Sequence, residues 1–321
     1  EIENTYAVTG DVARRDEALG KLVDALNAAG GNWAFVESPT ELGTDEDVIR
    51  VAFIYNKAEV EPVGESRIFD DPAFTGTARQ PLAQEFKPVG ADDSKSFVAI
   101  VNHFKSKGSV ANGDADTGDG QGNNAQVRVA QSTALIDALK EQDDWANKPT
   151  FIVGDLNSYS REDAVRYLEQ EGFSNIASRR EFDNASYQFA GQLGSLDHVM
   201  GNEAAMKLVK DAAVWNINAD ESVAFEYSRR NYNVQDFFEA DNPFRSSDHD
   251  PVKVGFGFDA SAPTDPVDPV APVEPPVAAG SSIGGILGAL LVGTGLVALI
   301  SALVNMLFPD AVQSILSRFG L

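Results

Sequence analysis

Two patterns of hydrophobic and polar positions alternate along the first 258 residues. Short apolar runs rich in β-branched and aromatic residues predict buried strands, and longer runs with apolar residues three or four apart predict helices. Strands are predicted at Val51–Tyr55, Phe97–Asn102, Thr150–Val153 and Val252–Phe256, and helices at Ala13–Ala29, Ala125–Gln142 and, capped by Ser160, Arg161–Glu171. Because strands and helices alternate, we predict one α/β layered domain over residues 1–258.

The pattern changes abruptly after residue 258. Residues 259–281 include PTDPVDPVAPVEPP, in which closely spaced prolines disfavour helices and central strands and favour extended polyproline structure. We therefore predict a semi-rigid linker over 259–281.

Residues 282–308 form a long apolar run without a charged side chain. A helix of this length crosses a hydrocarbon core of roughly 30 Å, so we predict a transmembrane helix. The alternative is a buried core helix, but a helix placed after a proline linker has no core to join. The tail, 309–321, carries one basic residue, Arg318, which favours an external position for the N-terminal domain. We expect an extracellular domain anchored at the cell surface by its C-terminal helix.

The composition argues both against and for particular classes of function. The chain of 321 residues has 49 acidic and 25 basic residues and a net charge of −24, which repels a polyanion over long range. Divalent cations bound by carboxylates can invert the potential inside one cleft, so a nuclease is not excluded. The absence of cysteine excludes disulfides and thiolate metal sites.

Three histidines are the first candidate functional residues. His103 follows the strand-like run FVAIVN, His198 follows SLD, and His249 lies in SSDHDP directly before a predicted strand. A single histidine in such a position is at least as often structural as catalytic. All three lie among residues of catalytic type, which favours a function for some of them.

A second group of candidates is the sequence GDLN after the strand TFIV. Asp155 offers a carboxylate to a water or a metal, and Asn157 offers an amide to a phosphoryl oxygen. A simple turn is the alternative, because glycine, aspartate and asparagine all favour turns. Asp197 and Asp248 are both candidate partners for His249, and Asp197 is favoured because neighbouring side chains of an extended segment diverge.

The chain resembles bacterial extracellular nucleases of the endonuclease/exonuclease/phosphatase superfamily, relatives of pancreatic-type deoxyribonucleases. The resemblance covers nearly all of residues 1–258, and GDLN with SDH is its most specific part. The strings that carry it are EIEN (1–4), ARQP (78–81), NHFKSKG (102–108), GDGQGNN (118–124), GDLNSYSRED (154–163), GSLDHVM (194–200), WNINADE (215–221) and RSSDHDPV (245–252). It implies a DNase I-like layered β-sandwich flanked by helices.

The resemblance also implies a role for each candidate residue. Glu1 and Asp248 resemble the metal ligands, which suit Mg²⁺ or Mn²⁺. His249, oriented by Asp197, resembles the base or phosphate-binding imidazole. The remaining implied roles are Asp155 and Asn157 as the groups that position the attacking water and the phosphoryl oxygens, His103 as the acid for the leaving oxygen, and Arg79 as a phosphate contact.

The sequence departs from the family pattern at its start, and two further features are left open by it. The pattern has a further strand and an asparagine before Glu1, so we expect a chain that starts there to lack a central strand and a phosphate ligand, and an inactive chain is one expected outcome. For His103 the sequence offers only Asp45 and Asp47 as carboxylate partners. The acidic loop DADTGDGQGNN is interpreted as a solvated glycine-rich loop, with a structural Ca²⁺ site as the alternative.

The sequence thus predicts a metal-dependent endonuclease acting on extracellular nucleic acid, DNA in the first place and RNA in the second. We expect no obligate protein partner, and a membrane contact through the C-terminal helix. Two alternatives are kept: a phosphoesterase acting on lipid or inositol phosphates, and a catalytically inactive surface binding protein. Substitution of His249 by alanine distinguishes a catalyst, which loses turnover, from a binding protein, which keeps its affinity.

Overall fold

A computed structural model describes residues 1–176, 185–189, 192–225 and 243–258. The predicted linker, transmembrane helix and tail lie outside the described residues. Within those four ranges no helix combines the length and the apolar character needed to cross a bilayer.

The described residues form strands, helices and short 3₁₀ turns that alternate as the sequence predicts. The strands are β1 Ile2–Glu3, β2 Trp33–Phe35, β3 Ile49–Arg50, β4 Ile54–Asn56, β5 Val60–Ile68, β6 Arg79–Pro88, β7 Phe97–His103, β8 Thr150–Asp155, β9 Ser174–Asn175, β10 Tyr187–Phe189, β11 Gln192–Gly194, β12 Asp197–Gly201, β13 Val209–Val214 and β14 Val252–Phe256. The helices are α1 Thr5–Thr9, α2 Glu17–Ala28, α3 Ala125–Lys140, α4 Asp163–Gln170 and α5 Glu203–Met206.

A six-stranded sheet in the order β5-β6-β7-β8-β12-β9 is the centre of the domain. Its neighbouring strands are antiparallel except β7 and β8, which run parallel, with α3 in the connection between them. Four two-stranded antiparallel sheets, β1-β3, β2-β4, β10-β11 and β13-β14, accompany it.

The two faces of the central sheet bury different partners, as the alternation of side chains along a strand requires. On one face Val98 and Ile100 of β7 join a core that includes Leu135 of α3 and Val165 of α4. On the other face, the ring of Phe97 packs 4.8 Å from that of Phe256 in β14, and Phe151 joins the same cluster. The predicted α/β layered arrangement is confirmed.

Three local predictions are wrong. Of the predicted strand Val51–Tyr55 only Ile54 and Tyr55 lie in a strand, β4, which pairs with β2. The preceding strand, β3, ends at Arg50 and pairs with β1, so the chain changes partners between the two. Helix α2 begins at Glu17 rather than Ala13. Ser160 is not the cap of α4, whose N-cap position is Glu162, and the Glu162 carboxylate instead pairs with Lys107 and Arg128.

Candidate active site

The pairing register of the central sheet brings four predicted site residues into one row. Arg79 on β6 lies opposite His103 on β7, His103 lies opposite Asp155 on β8, and Asp155 lies opposite Asp197 on β12. These positions are far apart in the sequence and are adjacent because neighbouring strands are hydrogen-bonded at this register. His249 lies at the end of this row, in contact with Asp197.

Asp197 and His249 form the contact that the sequence predicts. Nδ1 of His249 lies 2.7 Å from Oδ2 of Asp197, and the Ser186 hydroxyl donates a second hydrogen bond of 2.6 Å to the same oxygen. Burial alone lowers the pKa of His249. The hydrogen bond to Asp197 and the charges of Asp197, Asp155 and Asp248 outweigh burial and raise the pKa to about 9. The imidazole is therefore protonated at neutral pH, with Nδ1 as a donor.

Backbone contacts fix the segment that carries His249. The Asp250 amide donates to the Ser186 carbonyl over 2.7 Å, and Tyr187 and His249 form an isolated antiparallel bridge. The Asp250 carboxylate accepts hydrogen bonds of 3.0 to 3.2 Å from the amides of residues 217, 218 and 219. Asp250 is thus a structural anchor for the histidine beside it.

Asp155 and Asn157 form a turn immediately after β8. The Asn157 backbone is left-handed, with φ of 47°, a conformation that asparagine tolerates. Its amide N–H donates to Asp155 Oδ1 over 2.7 Å, and its side chain donates to Asp155 Oδ2 over 3.2 Å and to the Phe104 carbonyl over 3.0 Å. Asn157 therefore holds Asp155 directly, and its NH₂ group is engaged within the protein.

Asp155 is a largely buried carboxylate at the centre of the row, with 16% of its side chain exposed. Burial, together with the charge of Asp197, raises the pKa of Asp155, while His103 and His249 oppose this rise. Nε2 of His103 lies 3.4 Å from Asp155 Oδ2. A carboxylate in this environment gains from a nearby cation.

The carboxylate partner of His103 is Glu1, and the predicted candidates Asp45 and Asp47 are wrong. Nδ1 of His103 lies 2.7 Å from Glu1 Oε1, and Nε of Arg79 lies 2.6 Å from the same oxygen. The Arg79 contact falls outside hydrogen-bonding angles, so it is an ion pair without a directed hydrogen bond. Burial raises the pKa of Glu1, but His103 and Arg79 bring it below the ordinary value.

His198 is structural, unlike the other two histidines. It is buried, its Nε2–H donates to the Ser158 carbonyl over 2.7 Å, and its Nδ1 lies 2.8 Å from the side-chain nitrogen of Asn175. Since the Ser158 oxygen can only accept, Nε2 carries the proton and Nδ1 accepts from Asn175. Burial lowers the pKa of His198, consistent with this neutral tautomer.

The carboxylates and imidazoles that could hold a metal differ from the predicted pair. In the described part of the chain the group is Asp155, Asp197 and His249, whose ligand atoms lie within 4.8 Å of one another. Glu1, one of the two predicted ligands, instead contacts His103 and Arg79. Asp248, the other, is near enough for its charge to raise the pKa of His249 but is outside the group.

The carboxylates of the acidic loop between β7 and α3 are engaged by nearby backbone amides, and a Ca²⁺ site in this loop stays a prediction. Asp114 accepts from the amide of Val127, Asp116 from that of Gly118, and Asp119 from that of Gln121. None of the three belongs to the metal-capable group found among the described residues. The interpretation as a glycine-rich surface loop therefore fits these contacts better.

Sequence reasoning missed Ser186 and Tyr187. Ser186 is buried against Asp197, and the Tyr187 ring centre lies 4.6 Å from that of His249. The only sign of them in the sequence is a serine followed by a tyrosine, eight positions before GSLDH. This pair belongs to no motif with a recognisable spacing, so it does not indicate a site. A cleft of about 430 Å³ opens at the His249 end of the row and is lined by Gly154, Asp197 and His249 among others.

The model of the "Endonuclease/Exonuclease/phosphatase family" matches residues 37–249, more than half of the chain. No curated protein sequence matches the chain.

Solved structures similar to the chain include an endonuclease/exonuclease/phosphatase family protein from Bacteroides thetaiotaomicron, with 16% identity, a TM-score of 0.49, and coverage of 74% of this chain and 79% of that one. A second is a mannosyl-6-phosphatase from Bacteroides thetaiotaomicron VPI-5482, with 15% identity, a TM-score of 0.48, and coverage of 74% of this chain and 82% of that one. A third is D. rerio TDP2 complexed with single-stranded DNA product, with 16% identity, a TM-score of 0.41, and coverage of 61% of this chain and 73% of that one.

Proposed function

The chain belongs to the endonuclease/exonuclease/phosphatase family, and from that premise we propose that it is a metal-dependent endonuclease that hydrolyses phosphodiester bonds in nucleic acid, DNA in the first place. Members of this family are phosphoester hydrolases. The observation that supports the proposal most is the row of Asp197, Asp155 and His103 across three strands, with His249 held at its end.

The residues of the row suit a divalent cation. Asp155 and Asp197 supply hard oxygen ligands, and their oxygens and a nitrogen of His249 lie within 4.8 Å of one another. Burial already disfavours the charged form of Asp155, a cost that a cation relieves. Such ligands fit Mg²⁺ or Mn²⁺, and Glu1 and Asp248 remain proposed additional ligands. When bound, the cation would stabilise negative charge on the phosphoryl oxygens.

His249 is proposed to contact the phosphoryl group directly. Asp197 occupies Nδ1, which leaves Nε2 for the substrate. With a pKa of about 9, the imidazolium donates to a phosphoryl oxygen at neutral pH. With a cation bound beside it, His249 would have a lower pKa, and its neutral ring would accept a proton from water. Both roles need Asp197 in its observed position.

His103 and Arg79 are proposed to act on the other side of Asp155. The His103 ring lies between Glu1 and Asp155, a position that suits an acid donating to the leaving oxygen. Arg79 is paired with Glu1, so a contact with a substrate phosphate requires Arg79 to exchange or share that partner. Anchoring at the cell surface by residues 282–308 stays a proposal.

The test uses the full chain in mild detergent, supercoiled plasmid, and Mg²⁺ or Mn²⁺. We expect nicking that EDTA and His249→Ala both abolish. Lys21→Ala, an exposed substitution on α2, should retain the wild-type rate. An intact plasmid with folded, metal-loaded protein would reject the proposal, whereas unchanged nucleic-acid affinity together with no turnover in any sample would indicate a surface binding protein.

One observation favours a second candidate, hydrolysis of a lipid or inositol phosphate. Phe189 and Leu193 are 65% and 63% exposed on the β10-β11 hairpin beside His249, and apolar loops next to an active site are suited to a lipid surface. Release of phosphate or headgroup from phosphatidylinositol vesicles, without plasmid nicking, would establish this function instead.

A further inference from the structure

Two aromatic side chains, Tyr187 and Phe189, extend from His249 of the candidate active site toward solvent. The ring centre of Tyr187 lies 4.6 Å from that of His249, and the ring of Phe189 lies 6.3 Å beyond that of Tyr187. Tyr187 and Phe189 are nearly parallel, with 10° between their planes. Phe189, at the outer end, is 65% exposed. We call Tyr187 and Phe189 the aromatic row.

The hairpin β10-β11 fixes the direction of the aromatic row. Residues two apart on a strand point to the same face, so Tyr187 and Phe189 share one face. On this face Tyr187 lies opposite Gly194, and a Cβ on Gly194 would lie 2.4 Å from the Tyr159 ring. Glycine thus allows a third aromatic side chain, Tyr159, to pack against the hairpin.

The same hairpin is attached to the candidate catalytic segment. Tyr187 forms a bridge with His249, and Ser186, the preceding residue, donates to Asp197. The position of the aromatic row relative to His249 is therefore set by hydrogen bonds rather than by a free loop. A phosphate bound at His249 would carry its neighbouring nucleoside toward the Phe189 ring.

We propose that the aromatic row is a stacking subsite for an unpaired nucleobase next to the scissile phosphate, so that single-stranded or locally unpaired nucleic acid is the preferred substrate. The choice of nucleic acid as the ligand rests on the proposed nuclease function, whereas the binding experiment below does not require cleavage. Exposed aromatic faces bind bases by stacking irrespective of base identity. In a duplex those faces are covered by neighbouring bases, so the subsite selects unpaired positions.

Leu193 makes it possible to distinguish a nucleobase from a lipid surface. Leu193 lies opposite Gln188 in the hairpin and so faces away from the aromatic row, yet its exposure of 63% matches that of Phe189. A lipid surface contacts apolar side chains for their area, whereas a base requires a ring. The two side chains are therefore a matched pair within one hairpin.

The experiment measures binding of the full chain, in mild detergent with Mg²⁺, to a nuclease-resistant phosphorothioate oligothymidylate by fluorescence anisotropy. An abasic phosphorothioate strand of the same length supplies the same backbone charge without bases. We expect Phe189→Ala to weaken binding of the oligothymidylate by about 5- to 150-fold and to leave the abasic strand unaffected. Leu193→Ala should retain wild-type affinity for the oligothymidylate. Phe189→Trp, which keeps an aromatic ring at this position, should also bind it with wild-type affinity.

Three results would each overturn the stacking subsite. The first is an equal loss of affinity in Phe189→Ala and Leu193→Ala, and the second is a loss of affinity in Phe189→Ala that is as large on the abasic strand as on the oligothymidylate. The third is no binding by the wild-type chain. Base-dependent binding that Phe189→Ala removes, combined with an uncleaved plasmid, would support the subsite and reject only the nuclease activity. The two proposals therefore fail by different results.

Discussion

Asp197 Oδ2 accepts hydrogen bonds from two side chains at once, at 2.6 Å from Ser186 Oγ and at 2.7 Å from His249 Nδ1. Two donors on one oxygen leave the carboxylate little freedom to rotate. The imidazole is consequently held in one orientation, and its charged form is stabilised. Catalysis through His249 should therefore depend on Asp197 strongly and on Ser186 to a smaller degree.

We predict that Asp197→Asn lowers kcat by about 10²- to 10⁴-fold, the usual contribution of an oriented acid or base. The amide cannot stabilise the imidazolium, so the pKa of His249 should also fall below its wild-type value of about 9. Ser186→Ala removes one neutral donor and should lower kcat by about tenfold. Steady-state cleavage and NMR titration of the metal-free protein measure both effects.

Asp93→Asn is the control for these variants, because Asp93 is an exposed carboxylate paired with Lys87 and remote in the fold from Asp197. It should leave kcat and the His249 titration unchanged. An Asp197→Asn variant with wild-type kcat would exclude the dyad as a catalytic element.

The titration of His249 also predicts how stability depends on pH in the metal-free protein. Its pKa is about 9 in the folded state and about 6.5 in the unfolded state, so the folded state binds the proton more tightly. This contribution, about 3 kcal/mol at most, is fully present below pH 6.5 and is lost as the pH rises through about 9. Urea denaturation of wild type and His249→Ala in EDTA measures it.

The difference in unfolding free energy between wild type and His249→Ala should be largest below pH 6.5 and should shrink as the pH passes about 9. Other contacts of the ring, including that with Tyr187, are lost at every pH and give a constant offset. A difference that grows with pH would mean that Asp197 does not stabilise the imidazolium.

At the scale of elements, the sequence predicts which residues follow strands but not which strands are neighbours. His103 and Asp155 stand at the ends of clear apolar runs, so their position at one edge of the sheet was predictable. The pair of Glu1 and His103 was not, because it depends on the packing of β1 and β7, which share no local pattern. The shortening of the predicted strand over residues 51–55 likewise follows from pairing partners, since only Ile54 and Tyr55 of that range pair with β2.

Gly154 shows how closely two of these elements approach each other. Its φ is +122°, and a Cβ added there would lie 2.1 Å from the Asn102 carbonyl oxygen on β7. The carbonyl oxygen belongs to the backbone and a Cβ is fixed by it, so only separation of β7 and β8 would relieve the overlap. The glycine of GDLN thus allows the parallel pair that aligns His103 with Asp155.

We predict that Gly154→Ala lowers the free energy of unfolding by more than about 3 kcal/mol, the upper range for backbone strain alone. Gly172→Ala is the matched control, because its φ is +94° but its Cβ would meet nothing within 4 Å. That variant should lose only about 1–2 kcal/mol. Urea midpoints of the two variants provide the comparison, and equal losses would show that the approach of β7 to β8 is not restrictive.

At the scale of the whole molecule, the net charge of −24 opposes the proposed substrate. Two of the basic residues near the row do not offset it freely, since Arg79 is paired with Glu1 and Arg128 with Glu162. A nucleic acid must therefore approach an acidic protein, and repulsion acts before any contact forms. Monovalent salt screens this repulsion, with a Debye length of about 30 Å at 0.01 M and about 8 Å at 0.15 M.

We predict that kcat/KM for a single-stranded oligonucleotide, at fixed Mg²⁺, rises by about tenfold between about 0.01 and about 0.15 M NaCl. Most nucleic-acid-binding proteins behave in the opposite way, because their basic contacts release counterions. Bis(4-nitrophenyl) phosphate, which carries a single charge, is the control and should change little. A steep fall of kcat/KM with salt would instead mean that local cationic contacts outweigh the charge of the whole chain. A smaller fall in Arg79→Gln would then show that Arg79 leaves Glu1 to supply one of these contacts.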